Sequence, residues 1–397
     1  MCAARSLPLS GIRVLDFGHI LAGPFCARLL ADLGAEVVKV ETATRQGRLG
    51  ARRGGPRPGN TSGRTALLAH INRNRRSIDL NLKTDRGRDI ARRLADKADV
   101  LIENFSAGVM DRLGLGYADL SQSNPRIVYA SMSAYGHTGP HRDWTGMNVT
   151  LQACSGLMLA TGDAGDPPIG ISNSWNDYIG GLHAATAIIG ALSRRGETER
   201  GSHLDVSQFE CSVAMIGSLL LASAVQSAAP DRIGSRSPSA APQGCYRCAG
   251  EDQWCAISVR DDGQWQALVA ELGEAAPRLG EPRLATLDGR IMHHAEIDAA
   301  IESWTRTRSP AEVERRLTQR GVAAAAMRRG NEVAEVEEWR RVLHPIEGLG
   351  TPGTRVVGLP FAFRDSDPAQ PVAAPHMGEH GREILRDWLN LDEEVSV

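Results

Sequence analysis

A single carboxylate, Asp177, stands at the mouth of an apolar, glycine-punctuated run, Asn176-Asp177-Tyr178-Ile179-Gly180-Gly181-Leu182-His183. A loop-rich stretch from Gly162 to Ser174, with Pro167 and Pro168, precedes it; Tyr178 to Leu192 follows as a buried helix of Ile, Leu, Ala and Gly. That order puts Asp177 at or near a helix N-cap, where a side-chain oxygen accepts the first free backbone N–H groups. The positive helix end is expected to hold the carboxylate ionised. An ionised carboxylate in a dry, open pocket is a nucleophile. An Asp at a helix start is also an ordinary structural cap, so other features of the chain must decide between the two.

Three more groups of residues carry potential chemistry. Arg73, Arg75 and Arg76 fall at a strand entry, where guanidinium groups hold phosphate through paired hydrogen bonds or form a solvated charge cluster. Glu103-Asn-Phe105 follows a strand at its C-terminal end, and open α/β sheets bind ligands beyond those ends. Asn104 and Phe105 there suit hydrogen bonding and stacking on a purine, or Phe105 packs under the loop. Cys245-x-x-Cys248, with Cys255 after it, lacks the second paired half of a zinc site. These cysteines read as half-buried strand residues, and no metal is expected.

The elements that must position these residues alternate. Gly11 to Phe17 reads as a strand. Ala22 to Leu33 reads as a helix with Pro24 in its first turn, and Gly34 follows where a helix end favours glycine. Glu36 to Glu41 returns as a strand. Further strands are Ser77–Asn81, Asp99–Glu103 and Arg126–Ser133, with an amphipathic helix over Thr84–Asp96. Strands alternating with helices imply an α/β fold with a parallel sheet covered on both faces. The first strand is followed by Gly18-His-Ile-Leu-Ala-Gly-Pro24, which lacks the G-x-G-x-x-G spacing that lets a backbone approach a pyrophosphate, so hydride transfer is a weak reading.

A Ser/Ala/Pro/Gly-rich stretch, Ser223 to Gln243, marks a boundary. Beyond it Gln253–Val259 reads as a strand, and Gly263–Leu272 and Pro310–Arg320 as helices, giving a smaller α+β domain. The expected division is a large domain over 1–225, a small one over 226–330, and a C-terminal segment over 331–397 ending in a helix, Gly378–Leu389. With 397 residues and a formal net charge of −2, nothing favours a nucleic-acid partner. Neither a secretory leader nor a membrane span is expected, Val213–Val225 being too short. Seven scattered cysteines suit a cytoplasmic protein.

The combined pattern is specific. Val14-Leu-Asp-Phe17, Ala22-Gly-Pro24, Asp32-Leu-Gly-Ala-Glu-Val-Val-Lys-Val-Glu41, Asn74-Arg-Arg-Ser-Ile-Asp-Leu80, Glu103-Asn-Phe105, Asn124-Pro125, Ser133-Ala-Tyr-Gly136, Asp177-Tyr-x-x-Gly-Leu182, Pro242-Gln-Gly-Cys-Tyr246 and Pro375-His-Met-Gly-Glu-His380 occur in order. The set resembles the class III CoA-transferases, the CaiB/BaiF family of formyl-CoA transferase and carnitine CoA-transferase, over nearly the whole chain.

The resemblance implies a Rossmann-like large domain, a smaller domain and an interlocked-ring homodimer. It implies that acyl-CoA and a small carboxylic acid are substrates, with no tightly bound cofactor. Asp177 matches the catalytic aspartate, and His19, Arg75, Asn104, Phe105 and Arg112 match positions that contact CoA. Arg75 stands where several relatives carry lysine. Two departures bear on mechanism. Pro242 to Gly250 keeps only Gly244 and Gly250 where formyl-CoA transferase has a glycine run that closes over its aspartate. Gly146-Met147-Asn148 lacks the histidine of the α-methylacyl-CoA racemase branch, although His137 and His141 lie upstream. Transfer is therefore favoured over an acyl-CoA racemase or isomerase, and the intact Asp177 over a catalytically silent CoA-binding subunit.

Overall fold

The computed structural model describes residues 7–42, 67, 70–226, 232–337, 342–346, 353–364 and 371–392. Two compact units divide the chain: Met1–Leu157, Gly170–Leu221 and Glu338–Val397 form one, and Met158–Ile169 with Ala222–Glu337 the other. The second unit thus takes a piece, Met158–Ile169, out of the span expected for the large domain. Gly234 N–H on Gly162 O at 3.0 Å and the Arg232 guanidinium on the Asp163 and Asp166 carbonyls tie that piece in.

In the first unit six strands, β1 (Arg13–Asp16), β2 (Glu36–Glu41), β3 (Arg76–Asp79), β4 (Val100–Glu103), β5 (Val128–Ser133) and β6 (Ser202–Ser207), form one sheet in the order β3-β2-β1-β4-β5-β6. Every neighbouring pair is parallel. Runs such as Val37-Val38 and Val100-Leu101-Ile102 are buried, as expected where both faces of a parallel sheet are covered. One face packs Leu15, Val38, Ile78, Leu101 and Tyr129 under helix α2 (Asp85–Ala95), which Thr84 caps through Gly87 N–H at 3.1 Å. The other packs Val14, Val37, Val100, Ile102 and Val128 under α1 (Ala22–Asp32) and the long α6 (Trp175–Thr198). Short α3 (Val109–Arg112) and α4 (Tyr117–Ser123) follow β4, and α5 (Asn148–Cys154) follows β5.

The chain's last described helix, Gly381–Leu389, belongs to the same unit and buries Ile384, Leu385 and Trp388 in the first face. Its entry is fixed by His380 N–H on Ser77 O at 3.0 Å, and its end by Trp388 Nε1 on Glu36 Oε1 at 2.8 Å.

The second unit holds an antiparallel sheet of β7 (Gln243–Arg247), β8 (Trp254–Ser258) and β9 (Ala323–Ala326). Helices over Asp262–Leu272, His294–Thr305 and Pro310–Thr318 pack on it through Trp265, Leu268, Ile301, Trp304 and Leu317. The Pro242 to Gly250 segment is largely β7. Tyr246 pairs with Cys255, and burial pushes the Cys255 thiol up to about 12, which suits a packed thiol rather than a metal thiolate. Among the described residues no group of three or more His, Cys, Asp or Glu is placed to hold a metal. Among them, too, no single helix is long and apolar enough to cross a membrane, although Gln208–Met215 and Gly217–Val225 meet the composition test as a pair bent by 65°.

Candidate active site

Asp177 lies inside α6, as its third residue, and not at the N-cap. The helix starts earlier than the apolar pattern suggests because Asn173 and Ser174 turn into the left-handed region and capping arrives from elsewhere. Ser174 offers no side-chain cap. Instead Asn148, at the start of α5, accepts Asn176 N–H through Oδ1 at 3.2 Å and also receives Gln152 Nε2 at 3.0 Å. Gln152, fully buried, exchanges two hydrogen bonds with Ile171, at 2.7 and 2.8 Å. Asn176, also fully buried, donates to Ser212 Oγ. These side chains fix the approach to Asp177. Their sequence signal is two amides four residues apart opening a helix, at Asn148 and Gln152, which local reading passed over.

Glycine brings α6 onto α1. A Cβ at Gly181 would stand 2.7 Å from Phe25 Cδ1 and 3.1 Å from Ala22 O, so only a residue without a side chain allows this approach. One turn earlier, Asp177 therefore overhangs the N-terminus of α1. That terminus has no cap of its own, because Leu21 offers no side-chain acceptor. The backbone amides of Ala22, the first residue of α1, and of Asp177 itself lie near enough to pull the Asp177 carboxyl down, while Asp177 N–H is committed to Ser174 O at 2.9 Å.

The expected strong ionisation of Asp177 is corrected by its surroundings. Burial pushes the carboxyl up from 3.8 to about 6, and the nearby backbone amides only partly offset it. Desolvation of the anion outweighs the helix ends. The group is still mostly anionic at neutral pH, and it is more basic than an exposed aspartate.

The other expected residues separate into a cluster and two outliers. His19, Asn104 and Phe105 come together where the chain leaves β1 and β4, the neighbouring strands at which the sheet order reverses. This is the crevice in which doubly wound sheets bind ligands. Asn104 Oδ1 accepts His19 N–H at 2.7 Å and Asn104 Nδ2 donates to His19 O at 2.9 Å. The His19 and Phe105 rings meet edge to face at 4.1 Å, with Phe105 also packed on the core beneath. Arg112, on α3, is exposed.

Arg75 lies apart from this cluster. Its guanidinium is fully buried, with Nη1 on Asp16 Oδ2 at 2.8 Å and Nη2 on Ile71 O at 2.8 Å and on Pro24 O. It braces the base of the β1–α1 loop. Arg73 is likewise buried, on Asp32, and Arg76 pairs with Glu36 and Asp387. Of the side chains around Asp177 and α5, Tyr178 stands edge-on to Phe25 at 4.8 Å and Met147 is exposed.

A polar cavity of about 170 Å³ beside the β4–α3 turn is lined by Glu103, Asp111, Tyr117, Ser131, His137 and His203 among others. Burial raises Glu103 to about 7. Its Oε2 accepts Phe105 N–H at 2.9 Å, and Oε1 lies 3.6 Å from His137 Nε2. His141 is exposed and lies against Trp144 at 3.9 Å.

Comparison with known proteins gives concordant matches. The sequence model of CoA-transferase family III matches residues 9–381. The acetyl-CoA:oxalate CoA-transferase of Acetobacter aceti is 33% identical over 96% of this chain and 96% of its own length. The succinate–glutarate CoA-transferase of Agrobacterium fabrum is 30% identical over 99% and 98%. A probable CoA-transferase of Mycobacterium tuberculosis is 31% identical over 97% of this chain, which spans only 48% of that protein. Among solved structures, a CAIB/BAIF family protein from Brucella suis superposes with a TM-score of 0.85 at 30% identity, covering 97% of this chain and all of that one.

Proposed function

Because the chain belongs to CoA-transferase family III, we propose that it moves CoA from an acyl-CoA donor to a carboxylic acid with Asp177 as the nucleophile. The observation that carries this is the half-buried Asp177 carboxylate in the first turn of α6, with burial moving its titration up to about 6.

The Asp177 carboxylate attacks the thioester carbonyl, the C–S bond breaks, and CoA leaves as a thiolate. The product is an acyl–aspartyl anhydride. The thiolate then attacks the aspartyl carbonyl, the donor acid leaves as a carboxylate, and an aspartyl–CoA thioester remains. The acceptor carboxylate attacks that thioester and releases the thiolate again. The thiolate takes the new acyl group and frees Asp177. Each step exchanges one anion for another, so no proton is consumed. Burial favours the covalent states, because acylation removes a desolvated charge.

For CoA we propose contacts at His19, Asn104 and Phe105, in the crevice beyond β1 and β4, with Arg112 as the exposed phosphate partner. Arg75 becomes a supporting residue in this scheme. The relatives named above act on oxalate, succinate and glutarate by their names, so short dicarboxylic acids are the acceptor class we propose.

We also propose a homodimer in the interlocked arrangement that the family resemblance implies, with a large and a small domain and the C-terminal segment returning to the large one. Leu182 at 46% and Ile189 at 38% exposure on α6, with Met215 and Leu220, form apolar surface that supports a partner. The cytoplasm is the compartment proposed.

The test is a mass-spectrometric screen of CoA exchange between acetyl-, succinyl- and other acyl-CoAs and a panel of carboxylic acids. Exchange by the wild type, lost in Asp177→Asn, is the expected result. A protein that exchanges CoA with none of the panel refutes the reading.

A further inference from the structure

Glu103 ends β4 and breaks the chemistry of that strand. Val100, Leu101 and Ile102 are fully buried aliphatics, and Glu103 is buried with them at 1% exposure. Among the described residues no arginine or lysine forms an ion pair with it. His137 faces its Oε1, with Nε2 3.6 Å away, and burial disfavours charge on that imidazole. Neither of these two atoms has a hydrogen-bond partner. The hydroxyl of Ser131, opposite Glu103 in the β4–β5 register, pairs with His203 Nε2 at 3.0 Å. A buried carboxylate so little compensated is costly, and an apolar side chain would suit the sheet better. The position needs another reason for a glutamate.

The second oxygen supplies one. Oε2 accepts Phe105 N–H at 2.9 Å, which fixes the turn between β4 and α3. That turn carries the crevice residues. Asn104 exchanges two hydrogen bonds with the His19 backbone, and the Phe105 ring meets the His19 ring at 4.1 Å. Glu103, with Gly108 and Asp111 just beyond the turn, also lines the cavity of about 170 Å³. A turn that borders a cavity has fewer packing contacts than one set on a filled core, so a fixed hydrogen bond carries more of its placement.

We propose that Glu103 is a positioning residue for CoA: its buried carboxylate holds the Phe105 amide and so sets the Asn104–Phe105 turn against His19. Glu103 touches no substrate and acts through Phe105. The proposal rests on the reading that CoA binds at His19, Asn104 and Phe105, and its test separates the two.

Glu103→Met removes both oxygens and keeps the length of the side chain, whereas Glu103→Gln keeps an acceptor. Titration calorimetry is expected to find CoA affinity reduced by about tenfold or more in Glu103→Met, with kcat changed less than about threefold. Glu103→Gln stays within about threefold of wild type in affinity. Nuclear magnetic resonance reads the contact directly, in protein labelled with nitrogen-15 at its six phenylalanines. The Phe105 amide signal, assigned by its loss in Phe105→Leu, moves upfield in Glu103→Met as the hydrogen bond is lost, and keeps its place in Glu103→Gln. Thermal melting at pH 8 stays near wild type in both variants, because losing a buried charge offsets losing the bond. An affinity within about twofold of wild type in Glu103→Met, or a loss as large in Glu103→Gln, overturns the proposal. So does a Phe105 signal that stays in place in Glu103→Met. Should Glu103→Met not fold, Glu103→Leu is measured against the same criteria. Unchanged CoA affinity in Asn104→Ala would sink the crevice reading itself. Weakened binding in Asn104→Ala beside normal binding in Glu103→Met would sink the role of Glu103 alone.

Discussion

Asn104 and His19 exchange two hydrogen bonds through a single amide side chain and a single residue's backbone, at 2.7 and 2.9 Å. The pair ties the loop after β1 to the turn after β4. Asn104 therefore serves CoA first by shaping the crevice, with only its remaining N–H and lone pair free for a ligand. Asn104→Ala leaves the His19 backbone without these partners at a cost of about 1–3 kcal/mol. Titration calorimetry is expected to show CoA affinity reduced by about 10–100-fold. An affinity within twofold of wild type would show that the crevice holds its shape without Asn104.

Asp177→Asn is expected to remove transfer activity and to stabilise the fold at alkaline pH. The folded-state carboxyl titrates at about 6 against 3.8 in an unperturbed aspartate. The folded chain therefore holds this proton more tightly than the unfolded one. The cost of ionising the buried group is absent below 3.8, grows between 3.8 and 6, and is complete above 6. Discounted for partial exposure, the gain at pH 8 is about 1–2 kcal/mol, and most of it is gone at pH 4. Thermal melts at the two pH values check this. The wild-type kcat/KM should show an acid limb near pH 6, where Asp177 becomes protonated.

Local punctuation explains which parts were legible in the sequence. β2 spans Glu36–Glu41 as read, because Gly34 ends α1 and a valine run follows. Thr84 marks the start of α2 for the same reason. Long-range contacts explain the rest. The early start of α6 depends on Asn148, 28 residues upstream. The weak acidity of Asp177 depends on its burial over α1, and no local pattern contains that contact. Arg75 sits in a run of arginines that reads as a phosphate or solvent face, yet its partner is Asp16, 59 residues earlier. Asp16 and Lys39 are the buried charges of β1 and β2, whose other charged residues, Arg13, Glu36 and Glu41, stay half-buried.

Arg75 and Arg112 should respond oppositely to alanine. Removing Arg75 empties a fully buried guanidinium site and takes the closest cation from Asp16. Breaking a buried pair costs about 3–5 kcal/mol, so denaturant melts should show a large loss of stability. Arg112 is exposed, and its loss should leave melting unchanged while weakening CoA binding and flattening its salt dependence. Equal CoA affinity for the Arg112 variant at low and high salt would return Arg112 to the solvated surface.

A partner on α6 can be tested by charge. Leu182 and Ile189 lie seven residues apart on that helix, and both are exposed, so they share one face. Leu182→Glu combined with Ile189→Glu places two carboxylates in the proposed apolar interface, where desolvating them is strongly unfavourable. Light scattering should find the wild type dimeric and the double variant monomeric or poorly folded. A double variant that remains a fully active dimer removes this face from the interface.

Transfer and α-proton exchange make opposite demands on the site. A transferase needs an acceptor acid and leaves the α-carbon alone, whereas a racemase needs no acceptor and must exchange the α-proton with solvent. Proton abstraction needs a second acid–base group across from Asp177. In the matching segment stand Met147, exposed, and Asn148, committed to Asn176 and Gln152. His137 lies against Glu103 in the cavity beside the β4–α3 turn, with its N–H on Asp205 at 2.9 Å, and His141 lies against Trp144. The enzyme incubated with a 2-methylacyl-CoA in deuterated water, without free acid, should leave the α-carbon undeuterated. It should exchange CoA once an acid is added. Deuterium entering at a turnover-competent rate in the absence of acid would assign Asp177 to proton abstraction instead.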